Sequence, residues 1–470
     1  MSDSVRYADR MSPSDALLWS NELDPMLRST IVSVMLLEGA PDPGRFERVL
    51  ARSIERIPRL RQRVVLDALS AAPPRWERDP LFDPRYHVRR VSVPGTGTLR
   101  DLLDLAQPIA MQAFDKDRPL WELYQVSGLE HGRTALLIKL HHAVSDGVGL
   151  VRMTSSLVER SPEPRPERPG TAESASILDE PAARGAFGET LAALRYSAGE
   201  NLERTTRVAG ALGAGALRTL RDPLGAARDA GRAARSVARM LRPVSEPLSP
   251  VMRERSLGVR FDAFALSLED LKRAAKAVGG TLNDAFVGAV TGGLRLYHEH
   301  HGRPVSELRM TMPINVREGE AGKRAGNQFA PARFSVPISI PHPAARMLRL
   351  RDLVARERRE PALGLLDDVA ALLARLPRSV SVGMFGSMLK SIDFVTSNVP
   401  GPPFPVWSSG ARVEAMFGFG PLSGAAVNVT LFSYDGQVHF AVATDPSAVR
   451  DPELFTDCLK LGVEEILSVA

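Results

Sequence analysis

Along the first third of the chain, apolar residues fall into short strand-like runs, with partial alternation in Tyr86 to Val93. Thr30 to Leu37, Tyr86 to Val93, Leu120 to Val126 and Arg133 to Leu140 each read as a strand. The last is the strongest, because Leu136, Ile138 and Leu140 share one face of it. Met11-Ser12-Pro13-Ser14-Asp15 reads as a helix start ahead of Ala16, Leu17 and Trp19. The pattern changes at Ser161, where a Pro-rich run to Gly170 predicts an extended linker. Ala- and Arg-rich helical sequence follows, opened by Asp222-Pro223 and closed by Pro243. From about residue 260 helix and strand alternate. Ser267 to Asp270 and Thr281 to Asp284 read as helix starts, and Gly279-Gly280 as a helix stop between them. Leu308 to Ile314 and Phe334 to Ile340 are predicted strands. Val427 to Ser433 and Gln437 to Thr444 flank Asp435-Gly436, a hairpin signal. Asp451-Pro452 opens a last helix that turns Phe455, Cys458 and Ile466 inward.

Strands and helices mixed in both halves predict an α/β or α+β protein and not a bundle. The expected division is 1–160, a linker of 161–256, and 257–470. The chain has 470 residues, enough for two large units. With 44% hydrophobic and 24% charged residues it is not disordered throughout, collagenous or a coiled coil. A single cysteine excludes a disulfide framework and a thiolate metal cluster, and fits a reducing compartment. Apolar runs fall short of the ~18 residues of a spanning helix, and the N-terminus lacks a signal-peptide core. The expected location is cytoplasmic.

A net charge of +5 is mild for this length, and aromatics at 6% do not fit a nucleic-acid binder. The basic residues are almost all Arg, which fits genome composition better than binding chemistry. Arg228, Arg232, Arg235, Arg239 and Arg242 form one helical stripe. That stripe suits an anionic membrane or lipid-inclusion surface. Its alanine-rich opposite side suits packing on the protein body better.

The chemistry concentrates at Leu140-His141-His142-Ala143-Val144-Ser145-Asp146-Gly147, where a buried strand runs into a turn. Strand ends hold functional groups rigidly while projecting them outward. Successive residues point to opposite faces, so the two histidines cannot both address one substrate while the strand persists. His142 falls on the face of Leu136, Ile138 and Leu140, and a neutral imidazole there can accept a proton. Asp146 has three open roles: holding the turn, capping a helix, or pairing with an arginine. Gly147 permits a positive φ or close ligand approach.

Other motifs carry less. There is no G-x-S-x-G elbow, and Gly319 to Arg324 lacks the Walker spacing. His298, His300 and His301 lack the H-E-x-x-H spacing and sit at a helix end that suits partly positive groups; no metal is expected there.

HHAVSDG resembles the HHxxxDG signature of the His-dependent CoA acyltransferase superfamily, which includes chloramphenicol acetyltransferase and peptide-synthetase condensation domains. Four further segments resemble one of its branches, the bacterial wax ester synthase/diacylglycerol acyltransferases. They are Met11 to Ala16, Pro119-Leu120-Trp121, Asn283-Asp284, and Ser397-Asn398-Val399-Pro400-Gly401-Pro402. The resemblance implies two chloramphenicol-acetyltransferase-like subdomains with an active-site tunnel between them. It implies fatty acyl-CoA as co-substrate, no resident cofactor, and diacylglycerol or a long-chain alcohol as acceptor. His142 is then the general base, Asp146 and His141 supports, and Gly147 part of the turn. Asn283, Trp121, Ser397 and Asn398 become candidate substrate contacts. For Asp284 capping is the preferred reading, and for Trp121 a core position competes with a tunnel wall. Two other functions stay open: a condensation-type enzyme using carrier-protein thioesters, and a non-catalytic lipid-surface protein.

Overall fold

The computed structural model describes residues 7–66, 72–144, 153–164, 231, 246–315, 329–359 and 378–470. Asp146, Gly147 and the basic stripe lie outside the described residues.

In chain order the elements are α1 (Pro13–Asn21), β1 (Thr30–Glu38), α2 (Pro43–Arg56), β2 (Gln62–Val65), β3 (Arg75–Arg78), α3 (Pro84–His87), β4 (Val88–Ser92), α4 (Leu99–Met111), β5 (Trp121–Ser127) and β6 (Thr134–His141). The second half holds β7 (Arg260–Ser267), α5 (Leu268–Ala277), α6 (Leu282–His300), β8 (Glu307–Asn315), β9 (Phe329–Pro337), α7 (Pro343–Glu357) and α8 (Arg378–Lys390). The chain ends with β10 (Phe394–Pro400), β11 (Trp407–Ser408), β12 (Ala411–Phe419), β13 (Val427–Tyr434), β14 (Gln437–Thr444) and α9 (Pro452–Leu467).

Local chemistry explains several boundaries. Ser12 caps α1 by accepting the Asp15 N–H at 3.0 Å, with Pro13 at the first helical position. Asp435 and Gly436 both adopt positive φ (45° and 77°), so the turn follows the twist of β13 and β14. The expected strand from Tyr86 is shorter than its pattern predicts. Pro84 starts a helical turn, Asp83 caps it through the Arg85 N–H at 2.9 Å, and extended backbone begins only at Val88. Phe455, Cys458 and Ile466 are buried on α9 as predicted.

Two six-stranded mixed sheets form the frame, in the orders β11-β12-β1-β6-β5-β4 and β7-β14-β13-β10-β8-β9. The first sheet is not built from the first half alone. β12 leaves the second half and pairs antiparallel with β1, from Val32↔Phe419 to Glu38↔Arg412. Its outer end alternates buried and exposed residues, and from Ala415 to Phe417 it is buried without a break. A one-faced strand thus becomes a two-faced one as it enters the molecule.

On one face of the first sheet, Leu136, Ile138 and Leu140 pack with Trp19, Phe46 and Val49. On the other, Val32, Val34 and Leu137 pack with Leu102 and Ala106 of α4 and with Phe261, Ala441 and Ala443 of the second sheet. Phe261 stacks on Phe419 at 4.2 Å, and Arg100 donates to Asp262 at 2.8 Å. The second sheet's far face carries α5, α6, α7 and α9 over Phe394, Val429, Leu431 and Phe440. No helix among the described residues is long and apolar enough to cross a membrane.

Helices α6 and α9 approach closely because Gly293 faces Gly462. A Cβ on Gly462 would lie 2.4 Å from the Ala289 carbonyl oxygen and 2.5 Å from the Gly293 nitrogen, both rigid backbone. Gly462→Ala therefore separates the two helices. It is expected to cost ~1–3 kcal/mol, read as a lowered urea midpoint at unchanged slope.

His439 sits between the halves, buried, with its ring edge-on to Phe417 at 5.2 Å. Burial lowers its pKa from 6.5 to about 4, with the Phe432 carbonyl working against the shift. Its contribution is present above pH 6.5 and lost as pH falls toward 4, because the unfolded chain takes up the proton first. About 3 kcal/mol is at stake over that window. His439→Leu is expected to flatten the stability–pH curve between pH 6.5 and 4 in denaturant titrations.

Candidate active site

β6 is a central strand, flanked by β1 and β5, so its backbone is held on both sides. Its last ladder pair is Thr30↔His141. Pairing does not stop abruptly there. The His142 N–H donates to the Ser29 carbonyl at 2.7 Å, and the Val144 N–H turns back to the His141 carbonyl at 3.0 Å.

The two histidines part company at this point. His141 is fully buried. Its Nδ1 accepts the Ala143 N–H at 3.0 Å, so the ring proton sits on Nε2, which lies 2.9 Å from Glu22 Oε1. Trp19 and Phe114 meet the ring edge-on at 5.4 and 6.2 Å. That leaves His141 no capacity for a substrate. His142 is half-buried, flanked by buried Ala143 and Val144, and is the member of the pair with exposed surface.

Glu22 is a site residue that no motif or periodicity in the chain singles out. Burial works to raise its pKa, yet contacts with His141, the Ser29 N–H and Lys116 hold it at about 2. Lys139 was equally invisible. It is fully buried two residues before His141, with Nζ 3.6 Å from Glu122 and 4.4 Å from the Phe114 ring centre. Arg89 and the Tyr124 hydroxyl also reach Glu122, at 2.9 and 2.6 Å. Burial pushes the Lys139 amine below its ordinary pKa, and Glu122 opposes this. Burial and Glu122 both push the Tyr124 phenol up. This paired network stiffens the sheet behind the histidines.

The remaining candidates are dispersed. Trp121 is buried: its indole N–H donates to the Leu60 carbonyl at 2.8 Å, and its ring stacks on His87 at 4.5 Å. Its polar atom is used by the fold, so the structure gives it a packing role where substrate contact was one expectation. Asp284 closes a capping box with Thr281, accepting the Thr281 N–H at 2.8 Å. Asn283 lies half-buried in the same first turn of α6, over the second sheet and not on the first sheet that carries His142. Ser397 and Asn398 lie side by side on β10, opposite Thr430 and Leu431 of β13. By alternation Ser397 shares a face with Val399, which joins the apolar cluster holding Ala143 and Val144; Asn398 takes the other face. Ser397 is thus the one directed toward the first half.

A cleft between the halves, with about 600 Å³ of space open to solvent, is lined by Arg28, Thr30, Met111, Arg255, Phe261 and the 420–424 loop. Thr30 is the cross-strand partner of His141, so this opening begins beside the strand end. His298 lies elsewhere. It donates from Nδ1 to the Leu294 carbonyl at 2.8 Å and takes the Ser249 hydroxyl on Nε2 at 2.8 Å, a core arrangement. Among the described residues no cluster of three or more His, Cys, Asp or Glu has metal-binding geometry.

Two joined mixed sheets, with a histidine pair at the end of a central strand, form this molecule, and its fold is one also seen in solved structures. A wax ester synthase/diacylglycerol acyltransferase from Marinobacter aquaeolei VT8 has this fold at a TM-score of 0.62, with 21% identity over 97% of this chain and 98% of that one. The first condensation domain of the CDA synthetase matches at a TM-score of 0.61, with 17% identity over 100% and 97%. Residues 11–286 match the wax ester synthase/diacylglycerol acyltransferase catalytic domain, and residues 325–467 the C-terminal domain of the same family. A putative diacylglycerol O-acyltransferase of Mycobacterium tuberculosis H37Rv is 38% identical over 100% of this chain and 94% of its own length. The chain belongs to the wax ester synthase/diacylglycerol acyltransferase family, and it is an acyltransferase.

The capping box separates two roles for the Asn283-Asp284 segment. Thr281→Ala removes the cap hydroxyl and is expected to cost about 1 kcal/mol of stability, while acyl transfer at saturating substrate stays within about twofold because the cap lies over the second sheet. Thermal unfolding beside a steady-state assay checks both.

Proposed function

We propose that this enzyme moves a fatty acyl group from acyl-CoA to the hydroxyl of diacylglycerol or of a long-chain alcohol, with His142 as general base. The observation that carries this reading is the asymmetry of the histidine pair. His141 has both ring nitrogens engaged by the protein, whereas His142 presents surface at the end of a backbone held on both sides. His142 removes the acceptor hydroxyl proton as the oxygen attacks the thioester carbonyl. The tetrahedral intermediate collapses with cleavage of the C–S bond, and the CoA thiolate takes the proton back from His142. No acyl-enzyme is needed. Asp146 and Gly147 complete the motif as candidate supports of His142, and Ser397 is the candidate contact from the second half.

The name of the Mycobacterium tuberculosis relative supports diacylglycerol as acceptor, and the Marinobacter name adds wax esters. Both acceptors are water-insoluble. Leu257 at the cleft, 54% exposed, supports a position on a membrane or lipid-inclusion surface during turnover.

Labelled acyl-CoA offered with diacylglycerol and with a long-chain alcohol tests the reading. Purified enzyme is expected to release CoA in step with ester formation. His142→Ala is expected to lose about 10²- to 10⁴-fold, the usual worth of a general base. Equal CoA release by both proteins with every acceptor would end the proposal.

A further inference from the structure

Glu22 stands in a locally unfavourable place. It is the residue at the C-terminal cap of α1, where the helix dipole opposes a negative charge. It is also largely withdrawn from water, which costs a carboxylate more than a neutral side chain. Three groups compensate. Oε1 accepts the Ser29 N–H at 2.9 Å and lies 2.9 Å from His141 Nε2, while Oε2 lies 3.6 Å from the Lys116 amine.

The consequence reaches one residue further in both directions. The carbonyl of that same Ser29, which is buried, accepts the His142 N–H at 2.7 Å. The imidazole of that same His141 accepts the Ala143 N–H at 3.0 Å on its other nitrogen. Two consecutive backbone N–H groups, those of His142 and Ala143, are thus held by the two groups that Glu22 holds. We infer that Glu22 is a positioning residue: through Ser29 and the His141 ring it fixes the backbone that presents His142 to the substrate.

The inference rests on His142 being the base. Glu22 itself touches no reacting atom. The low pKa of its carboxylate, about 2, means that the clamp stays charged at any working pH. Removing the carboxylate leaves the Ser29 N–H and the His141 Nε2–H without acceptors in a buried place. His141 can then move its proton to Nδ1, which releases the Ala143 N–H. A displacement of about 1 Å at a reacting group is enough to cost about 10²-fold.

The test is a steady-state comparison of wild type, Glu22→Ala, Glu22→Gln and His142→Ala, with ¹⁵N-histidine NMR on each full-length protein. Glu22→Ala is expected to lower kcat about 10²-fold while KM for acyl-CoA stays within about threefold, and to lose the Nε2–H tautomer of His141. The Gln amide oxygen can still accept both bonds, so Glu22→Gln is expected to keep that tautomer and at least about a tenth of kcat. A folded Glu22→Ala with wild-type kcat would overturn the inference. If the Ala variant does not fold, the Gln variant decides. Retained tautomer with retained kcat supports positioning; retained tautomer with kcat as low as His142→Ala overturns it. An active His142→Ala would sink the general-base reading instead, whereas an inactive His142→Ala beside a fully active Glu22→Ala sinks only the clamp.

Discussion

One backbone hydrogen bond, from the His142 N–H to the Ser29 carbonyl, lies at the centre of this structure. It extends the β1–β6 ladder by a residue beyond its last regular pair, Thr30↔His141. A side chain one residue past a strand is ordinarily free to wander with its loop. Here the ladder carries the rigidity of a central strand into the turn, and the side chain that follows inherits it. The buried Glu22–His141 contact and the bond from the Ala143 N–H to His141 Nδ1 secure the same point from the opposite side. Polar groups so far from water have nowhere else to bond, which makes the arrangement specific.

The second constraint is the crossing of β12. Because this strand pairs with β1, the strand beside the histidines is itself held by the second half. The stacked Phe261 and Phe419 and the Arg100–Asp262 pair seal that junction. The halves therefore share a sheet as well as a face, and the cleft beside Thr30 is bounded by both. An acyltransferase that brings two lipidic substrates together gains from such a frame, since orientation supplies much of its rate.

Much of the frame was legible in advance. The apolar runs Thr30 to Leu37 and Arg133 to Leu140 produced β1 and β6 within a residue of their predicted ends, and both strands are buried almost throughout. Asp435-Gly436 produced its hairpin, and Thr281 with Asp284 produced the capping box. These features are decided by neighbours within about four residues, where period and turn chemistry act. Helices α2 and α4 escaped the pattern reading. The start predicted at Tyr86 was displaced by the capped turn at Pro84.

The sequence by itself determined that two adjacent histidines would stand at the end of a buried strand. It did not determine which partners each would find. Glu22 lies more than a hundred residues from His141, β12 lies nearly four hundred from β1, and the Trp121 indole found the Leu60 carbonyl across 61 positions. Only the folded sheets bring such positions together. A carboxylate beyond a short helix has no periodicity to mark it, and its meaning comes entirely from the buried donors that tertiary packing sets around it.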